Sequence, residues 1–397
     1  MKSPIKHLFT LIVVTLCCLT RPASAQTFAT LHDFDSTGFD PLSGLVFDTS
    51  GNLYGTTNSG GAFGGGTVFE LIPNGTGWTF TTIYTFTLGT DGGLPQASLA
   101  IDPAGNLYGT TTNINGTEGT VFQLSPAGGG AFTYKLLHAF TDSPDGGDPV
   151  GNLILDAQGN LYGTTAGGGT SQSGTVYELS PNGSGGWNES ILYSFKGGTD
   201  GAGPQGGLVF DTAGSLYSTT EFGGASDQGT VFQLTPTGGG TWQETILTSL
   251  NSRTGYHPLA GLAIDAKGNL YGTTVSKSTV FELSALGNGK WAKKVIHTFQ
   301  GVSGDGNDPQ APITVGPNGT LYGTTLSGGN QPCECGTVYQ LTRSSNGAWT
   351  ERILHNFTNL NGDEPRGAVI LDAAGNLYGT TKYGNNGFGS VFELARH

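Results

Sequence analysis

The chain has 397 residues, a formal net charge of −13, only 11% charged residues and 69 glycines. So acidic a balance argues against nucleic acid or an anionic membrane as partner, and so few charges leave a surface built largely from Gly, Thr, Ser and Asn. Four cysteines, two of them (Cys17 and Cys18) close to the N-terminus, exclude a disulfide framework as what holds the fold.

In chain order, the first segment reads as a secretory signal over residues 1–25. Lys2 and Lys6 give a positive start, and the apolar run from Leu8 to Leu19 is too short to span a bilayer. Ala23-Ser24-Ala25 forms a small-residue cleavage site. Removing three basic residues (Lys2, Lys6, Arg21) takes the charge to −13 − 3 = −16. The protein is therefore expected to be exported: secreted, on the cell surface or in the periplasm. No later apolar run is long enough for a transmembrane segment, and a monomer is expected.

Residues 26–397 read as one domain written as a repeat. GNLYGTT begins at Gly51 and returns at Gly105, Gly159, Gly268 and Gly375, with variants at Gly214 and Gly319. Its tyrosines, Tyr54, Tyr108, Tyr162, Tyr217, Tyr271, Tyr322 and Tyr378, are 51–56 residues apart. A regular period of this length signals a repeat architecture. Within a unit, strands are predicted over 44–48, 52–57, 67–71 and 78–86, rich in Val, Ile, Thr, Tyr and Phe and bounded by Gly, Pro and Asn. Asp48-Thr-Ser-Gly51 suits a tight turn whose Asp side chain bonds the backbone while Gly takes the left-handed position. Asp102, Asp156, Asp211, Asp265 and Asp372 repeat that Asp, and Gly316 replaces it in the sixth unit.

Four short strands per unit and seven units predict an all-β, seven-bladed β-propeller, with a β-solenoid as the competing layout. The last unit stops after its third strand, at Leu394. Thr27-Phe-Ala-Thr-Leu-His-Asp-Phe34 reads as an orphan fourth strand. The N-terminal strand is thus expected to complete the last blade and close the ring, which removes two open sheet edges. The tyrosine row reads as packing, and Gly55 as room for a neighbouring aromatic ring or backbone.

GNLYGTT, the Gly-rich loop, GTVF[EQ]L and the Trp-bearing strand together resemble the bacterial GloVer (Gloeobacter/Verrucomicrobia) tandem repeat. The resemblance covers nearly the whole chain after the leader. It implies an exported repeat protein and carries no established activity. The Pro-x-x-Gly-Leu-x-x-Asp-x-x-Gly-Asn-Leu-Tyr run is also similar to the inner strands of NHL-type and gluconolactonase-like propellers, a likeness of fold alone.

Candidate chemistry lies where the repeat varies. His32, His138, His297 and His355 each precede the closing Phe of strand four by two residues. They fall on different blades, so a structural role is expected. Asp91, Asp145, Asp200, Asp305 and Asp363 lie in the loops that lead into the next strand one. If those loops ring the channel mouth, their oxygens would suit Ca²⁺; the plainer reading is a set of Asp-Gly turns. The loop over 251–258 offers Arg253, Tyr256 and His257, and the loop into the last unit offers Arg366. Glu221 and Lys382 begin two further loops on the same face. General acid–base chemistry needs such groups within reach of a substrate proton. Cys333 and Cys335 read as a small disulfide staple or a reactive dithiol. No Gly-x-Ser-x-Gly or His-Glu-x-x-His motif occurs, and the Gly-rich runs lack the Lys and helix of a phosphate loop.

The leading expectation is an extracellular binding scaffold for a glycan or protein. The runner-up is a propeller enzyme (lyase, lactonase or hydrolase) acting at the mouth, with a divalent cation in some cases. The third is a structural surface protein.

Overall fold

A computed structural model describes residues 26–112, 117–302 and 304–396; the leader read over residues 1–25 lies outside them. Among the described residues, seven four-stranded antiparallel sheets stand in a ring, with almost no helix. Blades 1 to 7 are numbered here by their second strands: Leu53–Thr57, Leu107–Thr111, Leu161–Thr165, Leu216–Thr220, Leu270–Thr274, Leu321–Thr325 and Leu377–Thr381.

Each blade follows from local chemistry. In the first, strand one (Val46–Phe47) is short and strand two is buried along its whole length. Strand three (Thr67–Pro73) is buried over five residues, and strand four (Trp78–Thr85) alternates between half-buried and exposed positions. That gradient is what a radial sheet requires, with its middle strands covered on both faces and its outer strand half in water. The one–two turn forms as expected. Asp48 Oδ1 accepts from Ser50 N and Asn52 N at 2.8 and 2.9 Å, and Gly51 sits at φ 86°. The other turn carboxylate oxygen accepts from the tyrosine hydroxyl, for example Tyr217 to Asp211 at 2.9 Å. The tyrosine row is thus a packing row with a hydrogen bond at its tip.

Gly55 has a steric reason. A Cβ there would lie 2.5 Å from the Phe69 ring of strand three and 2.9 Å from Leu45. The same holds for Gly109 against Phe122 and Gly272 against Phe281.

Blades join through the heptad as well. Tyr108, Tyr217 and Tyr271 meet Trp187, Trp291 and Trp349 of the following blade edge-on at 6.0–6.1 Å. Such pairs add about 0.5–1.5 kcal/mol beyond area burial. The first threonine of the Thr-Thr pair donates to the next blade's inner backbone: Thr164 to Gly206 O, Thr219 to Ala260 O and Thr324 to Gly367 O.

The ring closes as the sequence predicts. Gln26–Asp33 pairs antiparallel with Ser390–Arg396, so strand four of blade 7 comes from the N-terminus. Thr380 donates to Ser43 O of blade 1 at 2.7 Å, and Tyr378 packs on Trp78 at 6.1 Å. Phe34, 1% exposed, seats its ring edge-on against Phe69 at 5.1 Å.

Candidate functional site: the channel mouth

Each loop from strand four to the next strand one ends in the same way. A residue with positive φ comes first, then a proline, then a residue that lines the mouth. The positive-φ residues are Asp40, Leu94, Asp148, Gly203, His257, Asp308 and Glu364, at 50–64°. Pro41, Pro95, Pro149, Pro204, Pro258, Pro309 and Pro365 follow them. Left-handed backbone is uncommon outside glycine, and backbone bonds on both sides hold it here. His257 N donates to Gln228 O of the preceding blade, and His257 O accepts from Val275 N.

The residues after the prolines surround a cavity of about 220 Å³ on the ring axis, to which all seven blades contribute. They include Gln96, Gln205, Gln310 and Arg366, alternating with Leu42, Val150 and Leu259. Deeper in the wall, Ser98 N donates to Asn152 Oδ1 at 2.8 Å and Gly44 N to Ser98 Oγ at 2.9 Å, binding blades 1, 2 and 3 together. The backbones of neighbouring blades press so close that a Cβ on Gly206 would lie 2.4 Å from Gly261 N. The cavity is therefore walled largely by backbone and carboxamides.

One sector carries charge. Arg366 donates to Gln310 Oε1 at 3.3 Å and to Glu364 Oε2 at 3.1 Å. Lys382 stands 3.6 Å from the same Glu364 oxygen, and Gln310 donates to Asp308 Oδ2 at 3.0 Å. Arg366 Nε and Asp308 Oδ1 are buried without a hydrogen-bond partner among the described residues. Burial holds the Asp308 carboxyl above its usual range. In another sector Gln205 donates to Glu221, whose carboxyl burial pushes up while nearby His257 pulls it down.

The candidates from sequence thus divide. Arg366 lines the mouth. Glu221 stands behind Gln205, and His257 lies on the rim with its ring 5.4 Å from Phe222. Tyr256 is spent on a backbone bridge to Ser276 and a ring contact with His257 at 4.9 Å. Arg253 is exposed and away from the cavity.

The structure does not gather the five aspartates at the mouth; none lines the cavity. Each of the first four caps the start of its own loop. Asp91 accepts from Thr87 N and Tyr84 Oη, Asp145 from Thr141 N, Asp200 from Lys196 N and Tyr193 Oη, and Asp305 from Gln300 N. Asp363 belongs to a different position, the backbone bridge to Tyr383. Asn361 is the true counterpart in that loop, accepting from Thr358 N at 2.8 Å. The reason is spacing: the first four carboxylates fall four residues short of the prolines that turn the chain into the mouth. A calcium site made of these aspartates at the axis therefore has no geometric basis. Cys333 and Cys335 pair with each other in the loop before strand three of blade 6, with Cα atoms 5.1 Å apart. Sequence reasoning missed the lining residues Gln96, Gln205 and Gln310; the signal that finds them is the proline repeated in one phase, with the next residue facing inward.

Seven four-stranded blades around a walled axis define a β-propeller built from tandem repeats. The chain belongs to the Gloeobacter/Verrucomicrobia repeat family, which matches residues 18–212, 152–331 and 208–397. No curated protein matches it in sequence. Among solved structures it is similar to the virginiamycin B lyase of Staphylococcus aureus at 14% identity, covering 94% of this chain and 99% of that one with a TM-score of 0.61. It is also similar to the extracellular domain of a protein described as a hybrid two component system from B. thetaiotaomicron, at 13% identity and a TM-score of 0.60. That match covers 92% of this chain and 39% of the other. An ancestral GH74 enzyme aligns at 12% identity and a TM-score of 0.60, over 94% of this chain and 51% of the other. At these identities the likeness is one of fold.

Proposed function

We propose that the protein is an exported binding module that takes the polar end of an extracellular ligand, a terminal sugar of a glycan, into the mouth of its channel. The observation that carries this reading is the lining: four carboxamides (Gln96, Asn152, Gln205, Gln310), one guanidinium (Arg366) and backbone, interleaved with Leu42, Val150 and Leu259. Carboxamides both donate and accept, which suits the hydroxyls of a neutral ligand, and the apolar residues suit the faces of a sugar ring. The volume of about 220 Å³ is below the ~300–1,000 Å³ of sites for drug-sized ligands, so a terminal group enters and the rest of the ligand lies across the rim. Residues 1–25 read as a leader for export, and 26–397 as one domain.

A glycan array, followed by calorimetry on the best binder, tests this. Gln205→Ala and Gln310→Ala are each expected to weaken binding about tenfold or more, since each removes hydrogen bonds and leaves ligand hydroxyls unpaired. Binding that survives both substitutions and Arg366→Gln would place the ligand elsewhere and defeat the reading.

A second reading, a propeller enzyme, draws support from Glu221, a half-buried carboxyl held above its usual range and hydrogen-bonded to a lining amide. A general base with that character fits lyase or lactone chemistry. Turnover of a bound ligand that vanishes in Glu221→Gln, with affinity retained, would favour this reading over simple binding.

A further inference from the structure

Where neighbouring blades meet, the fourth-strand residue that precedes the closing Phe or Leu by two faces a fourth-strand side chain of the next blade. That slot is filled differently around the ring. Three seams stack aromatic rings: Tyr84 on Tyr134 at 4.8 Å, His355 on Phe28 at 4.2 Å and His32 on Phe80 at 3.8 Å. Between blades 4 and 5 Thr248 holds the first place and the next blade offers Lys293, whose Nζ donates to Thr254 Oγ1 at 3.0 Å. Between blades 3 and 4 the set is Tyr193, Asp200 and Glu244, with the tyrosine donating to Asp200 at 2.6 Å. Two seams remain, 2/3 and 5/6, and they carry the same trio of a histidine, its loop aspartate and the next blade's glutamate.

We propose that these two seams are a pair of divalent transition-metal sites, His138–Asp145–Glu189 and His297–Asp305–Glu351, suited to zinc or a close neighbour. Geometry is the first argument. In each trio one ligand atom per residue lies within 4.8 Å of the other two. His138 Nε2 is 3.2 Å from Asp145 Oδ2 and 3.5 Å from Glu189 Oε1, and His297 Nε2 is 3.6 Å from Glu351 Oε1. Metal–nitrogen and metal–oxygen bonds of about 2.0–2.2 Å put two ligands of a tetrahedral zinc about 3.3–3.5 Å apart, so these three spacings match a coordination shell, while His297 and Asp305, within 4.8 Å of each other, need a small side-chain movement to complete theirs.

Unmet demand is the second argument. Glu189 Oε1, Glu351 Oε1 and His297 Nε2 are buried with no hydrogen-bond partner among the described residues. Buried polar atoms are paired as a rule, and two carboxylates beside one imidazole leave an excess of negative charge that a dication would cancel. Duplication is the third. Both trios fall on the same three repeat positions, and the blades that supply their glutamates, 3 and 6, have Tyr177 and Tyr339 on strand three where the other five have Phe. The histidine selects the metal: imidazole with carboxylates suits zinc and its transition-row neighbours, whereas calcium takes oxygen ligands. Three protein ligands leave the fourth position to water. Each metal would clamp two blades together at the outer rim, away from the channel mouth.

The test uses the protein freed of metal by a chelator and titrated with CoCl2, reading the visible absorption of tetrahedral cobalt, with ZnSO4 and elemental analysis in parallel. About two equivalents are expected, one per trio, with a rise in unfolding midpoint. His138→Gln and His297→Gln should each leave about one equivalent and the double variant none, while His355→Gln, in an aromatic seam, keeps both. Should the histidine variants fail to fold, Glu189→Gln and Glu351→Gln, isosteric and uncharged, replace them. No bound cobalt or zinc in the wild type, or two equivalents retained in the double variant, would overturn the assignment. So would saturation by CaCl2 with no tetrahedral cobalt spectrum.

Discussion

Ring closure by the N-terminal strand can be tested at a single side chain. Phe34 follows that strand and enters the seam between blades 7 and 1, 1% exposed, with its ring edge-on to Phe69 at 5.1 Å. Phe195 holds the same place where the chain is continuous, 0% exposed and edge-on to Phe232 at 5.0 Å. Truncating a buried Phe to Ala costs about 3–5 kcal/mol through lost transfer energy and the cavity left behind. If closure packs as well as a covalently continuous seam, Phe34→Ala and Phe195→Ala must destabilise equally, by about 3–5 kcal/mol each. Denaturant unfolding followed by tryptophan fluorescence reads this as two similar downward shifts in midpoint with the slope unchanged. A loss of about 3–5 kcal/mol for Phe195→Ala beside less than about 1 kcal/mol for Phe34→Ala would rule out a tightly packed closure. It would mean that the first strand is held loosely and the ring is open in solution.

Three further outcomes follow from local geometry. Gly109→Ala places a Cβ 2.5 Å from the Phe122 ring and should cost about 1–3 kcal/mol by overpacking, measured by thermal or denaturant unfolding. Glu244 is pushed up to about 7, first by burial and then by Asp200. The folded state therefore holds its proton more tightly than the unfolded chain, so this contribution to stability is complete below about pH 4.5 and is lost as pH rises through 7. Glu244→Gln should match the wild type at pH 4 and exceed it at pH 8 by about 1–3 kcal/mol, the lower part of that range allowing for solvent screening; equal midpoints at pH 8 would contradict it. Lys293 is pulled down to about 8 by burial, so Lys293→Met should stabilise the protein below pH 8 and less so at pH 10, again by midpoint.

Much of the fold was legible because its causes are local. The Asp-x-x-Gly turn, the full burial of GNLYGTT and the need for Gly55 beside Phe69 all act within one repeat, and seven copies make the signal plain. The closing strand was legible for a related reason: a missing fourth strand at one end and a spare one at the other leave a single way to pair. The site was less legible. Asp91 and Asp145 share a loop with the mouth residues, but the chain turns inward only at Pro95 and Pro149, so the carboxylates stay outside. Asp363 sits close to the phase of the series, yet Asn361 does the capping. The seam trios were not legible at all from single units. His138 and Glu189 are separated by 51 residues, and nothing within either blade announces the other.

The contrast between what repeats and what varies says where this protein has freedom. The positions that set blade geometry are written almost the same way throughout: the turn Asp (Gly316 in the sixth unit), the strand-two glycine (Ser218 in the fourth), the two threonines, the strand-three Val and aromatic. A change at any of these would be felt twice, within its blade and against the next. Two rings escape that constraint. The residue after each proline faces an open cavity, so Gln, Leu, Val and Arg all fit there without disturbing a neighbour's backbone. The fourth-strand slot at each seam faces one partner only, so an aromatic pair, a lysine or an acidic trio can each be satisfied locally. Chemistry added to a propeller of this kind without unfolding it has these two places to go. In this chain the inner ring has acquired carboxamides and one guanidinium, and the outer ring has acquired two matched sets of imidazole and carboxylates.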